Sequence, residues 1–73
     1  MKPLTAREMI ALLESKGWEE VRQRGSHRKF KHPADPRLRL IVPVHDNTDL
    51  TPGVQRSIMR AAGISRDEIE NRI

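Results

Sequence analysis

Between Thr5 and Lys16 the apolar residues fall at Met9, Ile10, Leu12 and Leu13, the three-and-four spacing of a helix that buries one stripe. Thr5-Ala6-Arg7-Glu8 predicts its start: a threonine cap, with a glutamate three residues on that reaches back to the cap. Leu4 and Met9 sit where a hydrophobic staple would close, and Gly17 is placed to end the helix in a left-handed conformation. A second helix is predicted to open at Thr51-Pro52, with Val54, Ile58, Ala61 and Ala62 as its buried side and Gly63 as its end. Ser65-Arg66-Asp67-Glu68 then predicts a short third helix with Ile69 and Ile73 inward.

Between the helices the periodicity changes. Trp18–Gln23, His27–His32 and Leu38–Pro43 read as strands, separated by the turns Arg24-Gly25-Ser26 and Pro33-Ala34-Asp35-Pro36. The order α-β-β-β-α, with a short terminal helix, predicts an α+β fold. Its simplest closed form is a three-stranded antiparallel sheet with the helices on one face. The whole chain, residues 1–73, reads as one domain without repeats or linkers.

Alternation along the strands then assigns the faces. Phe30 is one of only two aromatic residues and belongs to the core, so its face is the helix-covered one. Leu38, Leu40 and Val42 are expected to join it. His27, Lys29, Lys31 and Arg39 are left together on the open face, unless a bulge near Gly25 breaks the register.

Charge sharpens this picture. From Val21 to His45 there are seven Lys/Arg and one acid, Asp35, a net +6; the remainder has seven Lys/Arg against nine acids, a net −2. A basic middle between near-neutral flanks suits a polyanion, nucleic acid first, although a solvated charged surface has the same composition. There is no cysteine, which removes disulfides, thiolate zinc sites and thiol nucleophiles. No apolar run approaches signal-peptide or transmembrane length, so no membrane partner is expected and a soluble, cytoplasmic protein is the default.

A histidine among fixed cations suits RNA strand cleavage. A neutral imidazole can remove the proton of a ribose 2′-hydroxyl, which attacks the adjacent phosphate, and Lys or Arg stabilises the charge that develops. Gly25 allows close backbone approach to a phosphate, and Ser26 can donate a hydrogen bond. A hairpin turn that merely holds a surface histidine is the plainer reading of the same residues. His27 and His32 should point to opposite sides of their strand, which makes them poor joint metal ligands, and no metal or other cofactor is expected. His45, Asp46 and Asp49 read as loop polar groups, His45 doubling as a possible second acid–base group; Trp18 reads as core.

Gly25-Ser26-His27-Arg28-Lys29-Phe30 resembles the G-S-H-x-x-F/Y signature of the HicA toxins. The resemblance extends through Lys16-Gly17-Trp18, Ile41-Val42-Pro43-Val44-His45, Leu50-Thr51-Pro52-Gly53, Ser57-Ile58 and Ala62-Gly63-Ile64, in the family's order and spacing. It implies a fold like the double-stranded RNA-binding domain, metal-independent ribonuclease activity on mRNA and inhibition by a HicB antitoxin. The family's essential histidine falls on His27, and the RNA contacts expected around it are Gly25, Ser26, Lys29, Lys31 and Arg39. The chain departs from the family pattern at Asp46-Asn47, where small residues, often glycine, are usual, and at Gln55, where leucine is common. Two rival readings use the same surface: a non-catalytic RNA-binding module, and a subunit whose basic face docks an acidic protein.

Overall fold

In the computed structural model, residues 1–46 and 48–71 are described; Ile73 and Asn47 fall outside them. Three helices and three strands follow in the order α1 (Ala6–Ser15), β1 (Glu19–Arg24), β2 (His27–Lys31), β3 (Arg39–Pro43), α2 (Pro52–Ala62) and α3 (Arg66–Glu70). The sheet is antiparallel with strand order β1-β2-β3. This is the α+β arrangement that the hydrophobic pattern predicts.

The helix boundaries form as their local chemistry dictates. Thr5 accepts from the Glu8 backbone at 3.2 Å while the Glu8 carboxylate accepts from the Thr5 N–H at 2.9 Å. At the other end of α1, Trp18 N–H donates to the Leu13 carbonyl and Gly17 N–H to that of Glu14, which satisfies carbonyls the helix leaves open. Gly17 takes φ 92 there and folds Trp18 back into the core. Thr51 caps α2 through the Val54 N–H, Gly63 (φ 68) ends it, and Ser65 with Glu68 makes a second reciprocal cap at α3.

One hydrophobic cluster joins the layers. Met9, Ile10, Leu12 and Leu13 of α1, Ile58 and Met59 of α2 and Ile69 of α3 bury against Phe30, Leu40 and Val42 of the sheet. Phe30 pairs directly with Leu40, so both lie on the covered face.

Three details differ from expectation. Leu38 is 49% exposed, because β3 starts one residue later and Leu38 belongs to the preceding turn, where its N–H donates to Asp35. Ala61 is exposed, and the buried side of α2 is instead Gln55, Ile58 and Met59, with Val54 and Ala62 at its margins. The register shift lies between Glu20 and Arg22 rather than near Gly25, leaving Val21 unpaired and 43% exposed.

Of the residues that depart from the family pattern, Asp46 and Gln55 have a structural account, and Asn47 lies outside the described residues. Asp46 takes φ 51, a left-handed conformation that glycine adopts without strain and that aspartate tolerates better than most residues. Gln55 is only 1% exposed, and its amide is satisfied on both sides by the backbone of Lys2 and Leu4.

Candidate active site on the open sheet face

The hairpin joining β1 to β2 sets the site. Gly25 takes φ 58 and Ser26 an ordinary negative-φ backbone, the residue pattern of a II′ turn, which suits the right-handed twist of the flanking strands. A Cβ on Gly25 would meet no atom within 4 Å, so conformation rather than crowding requires glycine, and the turn is open to an approaching ligand. The Ser26 carbonyl accepts from the Val44 N–H at 2.6 Å, which ties the turn to the end of β3.

His27 opens β2 and pairs with Arg24 on one side and Pro43 on the other. Two residues on, Lys29 pairs with Arg22 and Ile41; two further, Lys31 pairs with Glu19 and Arg39. These residues therefore share the face turned away from Phe30. His27, Lys29, Lys31 and Arg39 come together there as alternation predicts. The His27 ring makes no hydrogen bond among the described residues and is exposed.

Arg22, Arg24 and Ile41 also belong to this face, and sequence reasoning passed over them. Glu20 pairs with Phe30 on the covered side, so strict alternation would turn Arg22 and Arg24 to that side as well. The unpaired Val21 reverses them. Ile41 follows from Leu40 and Val42 facing inward, a signal already present in the alternation. A shallow cavity of about 190 Å³ is lined by Arg22, Arg24, His27, Lys29 and Ile41.

The other cations are distributed differently. Arg28 lies on the covered side, where its Nε donates to Glu20 at 3.0 Å and its guanidinium carbon Cζ lies 5.9 Å from the centre of the Phe30 ring. That hydrogen bond holds the Glu20 carboxyl below its usual range and raises the Arg28 pKa in turn. Lys31 is 3.6 Å from Glu19, and Arg37 pairs with Asp35. Among the described residues, Arg22, Arg24, Lys29 and Arg39 make no ion pair.

The remaining histidines are separate. His32 accepts at Nδ1 from the backbone of Ala34 and Asp35 (2.9 and 3.1 Å), and its ring meets Trp18 edge-on at 5.0 Å; it builds the β2–β3 turn. His45 lines a different depression with Thr48, Asp49 and Val54, one that shares no wall with His27. A larger depression of about 560 Å³ lies between α2 and α3, lined by Met1, Arg56, Arg60 and Arg66, and has neither a histidine nor a carboxylate among its described walls. Among the described residues no three His, Asp or Glu converge as a metal site, and no helix is long and apolar enough to cross a membrane.

Fold and site together define a small α+β protein whose open, largely cationic sheet face carries one imidazole that is without a partner among the described residues. Residues 6–64 match the family model described as the HicA toxin of bacterial toxin-antitoxin systems, and the chain belongs to this family. Its role is therefore that of the toxin in such a system. A comparison with curated proteins finds no match.

Proposed function

We propose that the chain is a metal-independent endoribonuclease that cleaves mRNA, with His27 as the acid–base group. What carries the reading is the position of His27: an exposed imidazole without a partner among the described residues, in the wall of a cavity whose other polar walls are cations. In the neutral form its ring nitrogen takes the proton of a 2′-hydroxyl, and the 2′-oxygen attacks the adjacent phosphorus. The bond to the 5′-oxygen breaks, that oxygen takes a proton from water, and a 2′,3′-cyclic phosphate remains; the imidazolium then returns its proton to solvent, which restores the neutral ring. Lys29 beside the ring stabilises the extra negative charge of the transition state. Gly25 leaves room for the strand at the turn, Ser26 can donate to it, and Lys31 and Arg39 extend the cationic track.

The inhibitor is a HicB-like antitoxin, an acidic protein that covers His27 and this face. Charge matching would make such association fast and discriminate against wrong partners.

The test compares wild type and His27→Ala on one long RNA, with circular dichroism as the control for folding. Loss of a general base costs on the order of 10²–10⁴ in rate. Equal cleavage by both proteins would overturn the assignment. RNA retardation without cleavage by either would establish the binding-module reading, and no RNA affinity at all the protein-docking one.

A further inference from the structure

The open face is not uniformly basic. At the end remote from the hairpin, Lys31 lies opposite Arg39 but also opposite Glu19, whose carboxylate is 3.6 Å from its ammonium. At the hairpin end, Arg22 lies directly opposite Lys29, Arg24 lies opposite His27, and among the described residues none of these three cations has a carboxylate partner. Like charges directly opposite each other destabilise a sheet. Glu19 relieves this at one end only.

We propose that Arg22, Arg24 and Lys29 form the phosphate-binding subsite that seats single-stranded RNA against His27. The bulge at Val21 creates this subsite by turning both arginines outward. The proposal rests on the reading of the open face as the RNA-cleaving surface, and narrows it to the hairpin end.

Three observations converge. The bulge alone decides on which side Arg22 and Arg24 emerge, and it delivers both to the cavity that holds His27. The covered side does accommodate an arginine when an acid accompanies it, as Arg28 with Glu20 shows; among the described residues Arg22 and Arg24 have no such acid. Guanidinium groups offer the planar, paired donors that match phosphate oxygens, which a lone ammonium does not. A phosphodiester between Arg22 and Lys29 would supply the missing negative charge, and the half-exposed Ile41 would give the adjoining nucleoside an apolar surface.

The experiment removes two charges from either end of the face. Arg22→Gln/Arg24→Gln and Lys31→Gln/Arg39→Gln are each built on His27→Ala, so that a short labelled single-stranded RNA survives, and its affinity is followed against salt. The first pair should weaken binding tenfold or more and lower the slope of log affinity on log salt by about 1.4, which is two phosphate contacts at ~0.7 each. The second should change the slope by less than half of that. Equal losses from both pairs, or a larger loss from the second, would overturn the subsite. Thermal unfolding gives an independent readout: Arg22→Gln should raise the melting temperature at low salt and leave it unchanged at high salt. A lower melting temperature at low salt would show that Arg22 has a partner within the protein and would also overturn the proposal. Cleavage separates this proposal from the one beneath it. Arginine-dependent binding by a protein whose wild type never cleaves would sink the ribonuclease reading and keep the subsite. Undiminished cleavage by Arg22→Gln/Arg24→Gln with His27 intact would do the reverse.

Discussion

The Gln55 side chain in α2 accepts a hydrogen bond from the Leu4 N–H at 2.8 Å and donates one to the Lys2 carbonyl at 2.8 Å. A single amide in the second helix thus holds the segment that precedes the first. The Leu50 N–H reinforces the tie by donating to the Leu4 carbonyl at 2.8 Å.

Gln55→Leu would restore the residue common in the family at the same depth but leave the buried Leu4 N–H without its acceptor. An unsatisfied buried donor costs about 1–3 kcal/mol. The urea midpoint should fall accordingly. Because Leu4 N–H precedes α1, hydrogen exchange at Leu4 should accelerate before that of the α1 interior. An unchanged midpoint would mean that the segment finds another acceptor.

Acid should loosen the junction between α1 and α3. Glu68 accepts from the Lys16 ammonium and from the Ser65 N–H, and both bonds lower its carboxyl pKa below the ordinary value of 4.5. The unfolded chain then binds protons more readily than the folded one. The resulting stabilisation is fully present above pH 4.5 and is lost as pH falls through the depressed folded value. Glu20 and Asp35, lowered by Arg28 and Arg37, add to the same trend. Glu68→Gln should flatten part of the fall in stability on acidification; identical profiles for Glu68→Gln and wild type would refute it.

Cleavage should continue in excess chelator and leave 2′,3′-cyclic phosphate or its hydrolysed form, as follows when a side chain rather than a metal-bound water activates the 2′-hydroxyl. End-group analysis of the products decides this. A 5′-phosphate, or activity that returns only with added magnesium, would require another mechanism.

The antitoxin should need an apolar anchor as well as charge, and Ile41, 51% exposed at the centre of the basic face, is the natural one. Ile41→Ala should weaken the complex with the neighbouring gene's product about tenfold or more, yet change the toxin's own stability by no more than about 0.5 kcal/mol. In the complex, hydrogen exchange should slow across residues 25–31. Protection confined to the helices would instead mean inhibition from the opposite side.

Phe30→Ala, one strand over and facing the other way, should behave in the opposite manner. Phe30 is fully buried among both main helices, and truncation of a core phenylalanine costs about 3–5 kcal/mol, a large share of the stability of so small a domain. Thermal unfolding compares the two variants directly; similar losses would mean that the assignment of faces is wrong.

Much of this was legible in the chain alone, because the deciding interactions span only a few residues. The caps at Thr5, Thr51 and Ser65, the stops at Gly17 and Gly63, and the hairpin at Gly25 each depend on backbone groups at most five positions away. The alternation of β2 placed His27 and Lys29 opposite Phe30 for the same reason: neighbouring strand residues diverge whatever surrounds them. The G-S-H signature then gave the histidine its family. What only the tertiary structure decided are relationships without a sequence period. Val21 is an ordinary strand residue by propensity, and nothing local distinguishes it as the one left unpaired; that follows from matching all of β1 against β2 under the constraint that Glu20 meets Phe30 and Arg24 meets His27. One extra residue inverts every side chain beyond it, and so Arg22 and Arg24 reach the site. Gln55 likewise looks like a polar intruder on an apolar stripe until Leu4 and Lys2, 51 and 53 residues away, arrive to bond its amide. A buried polar group is tolerated only with its partners in place, and those partners are supplied by the fold.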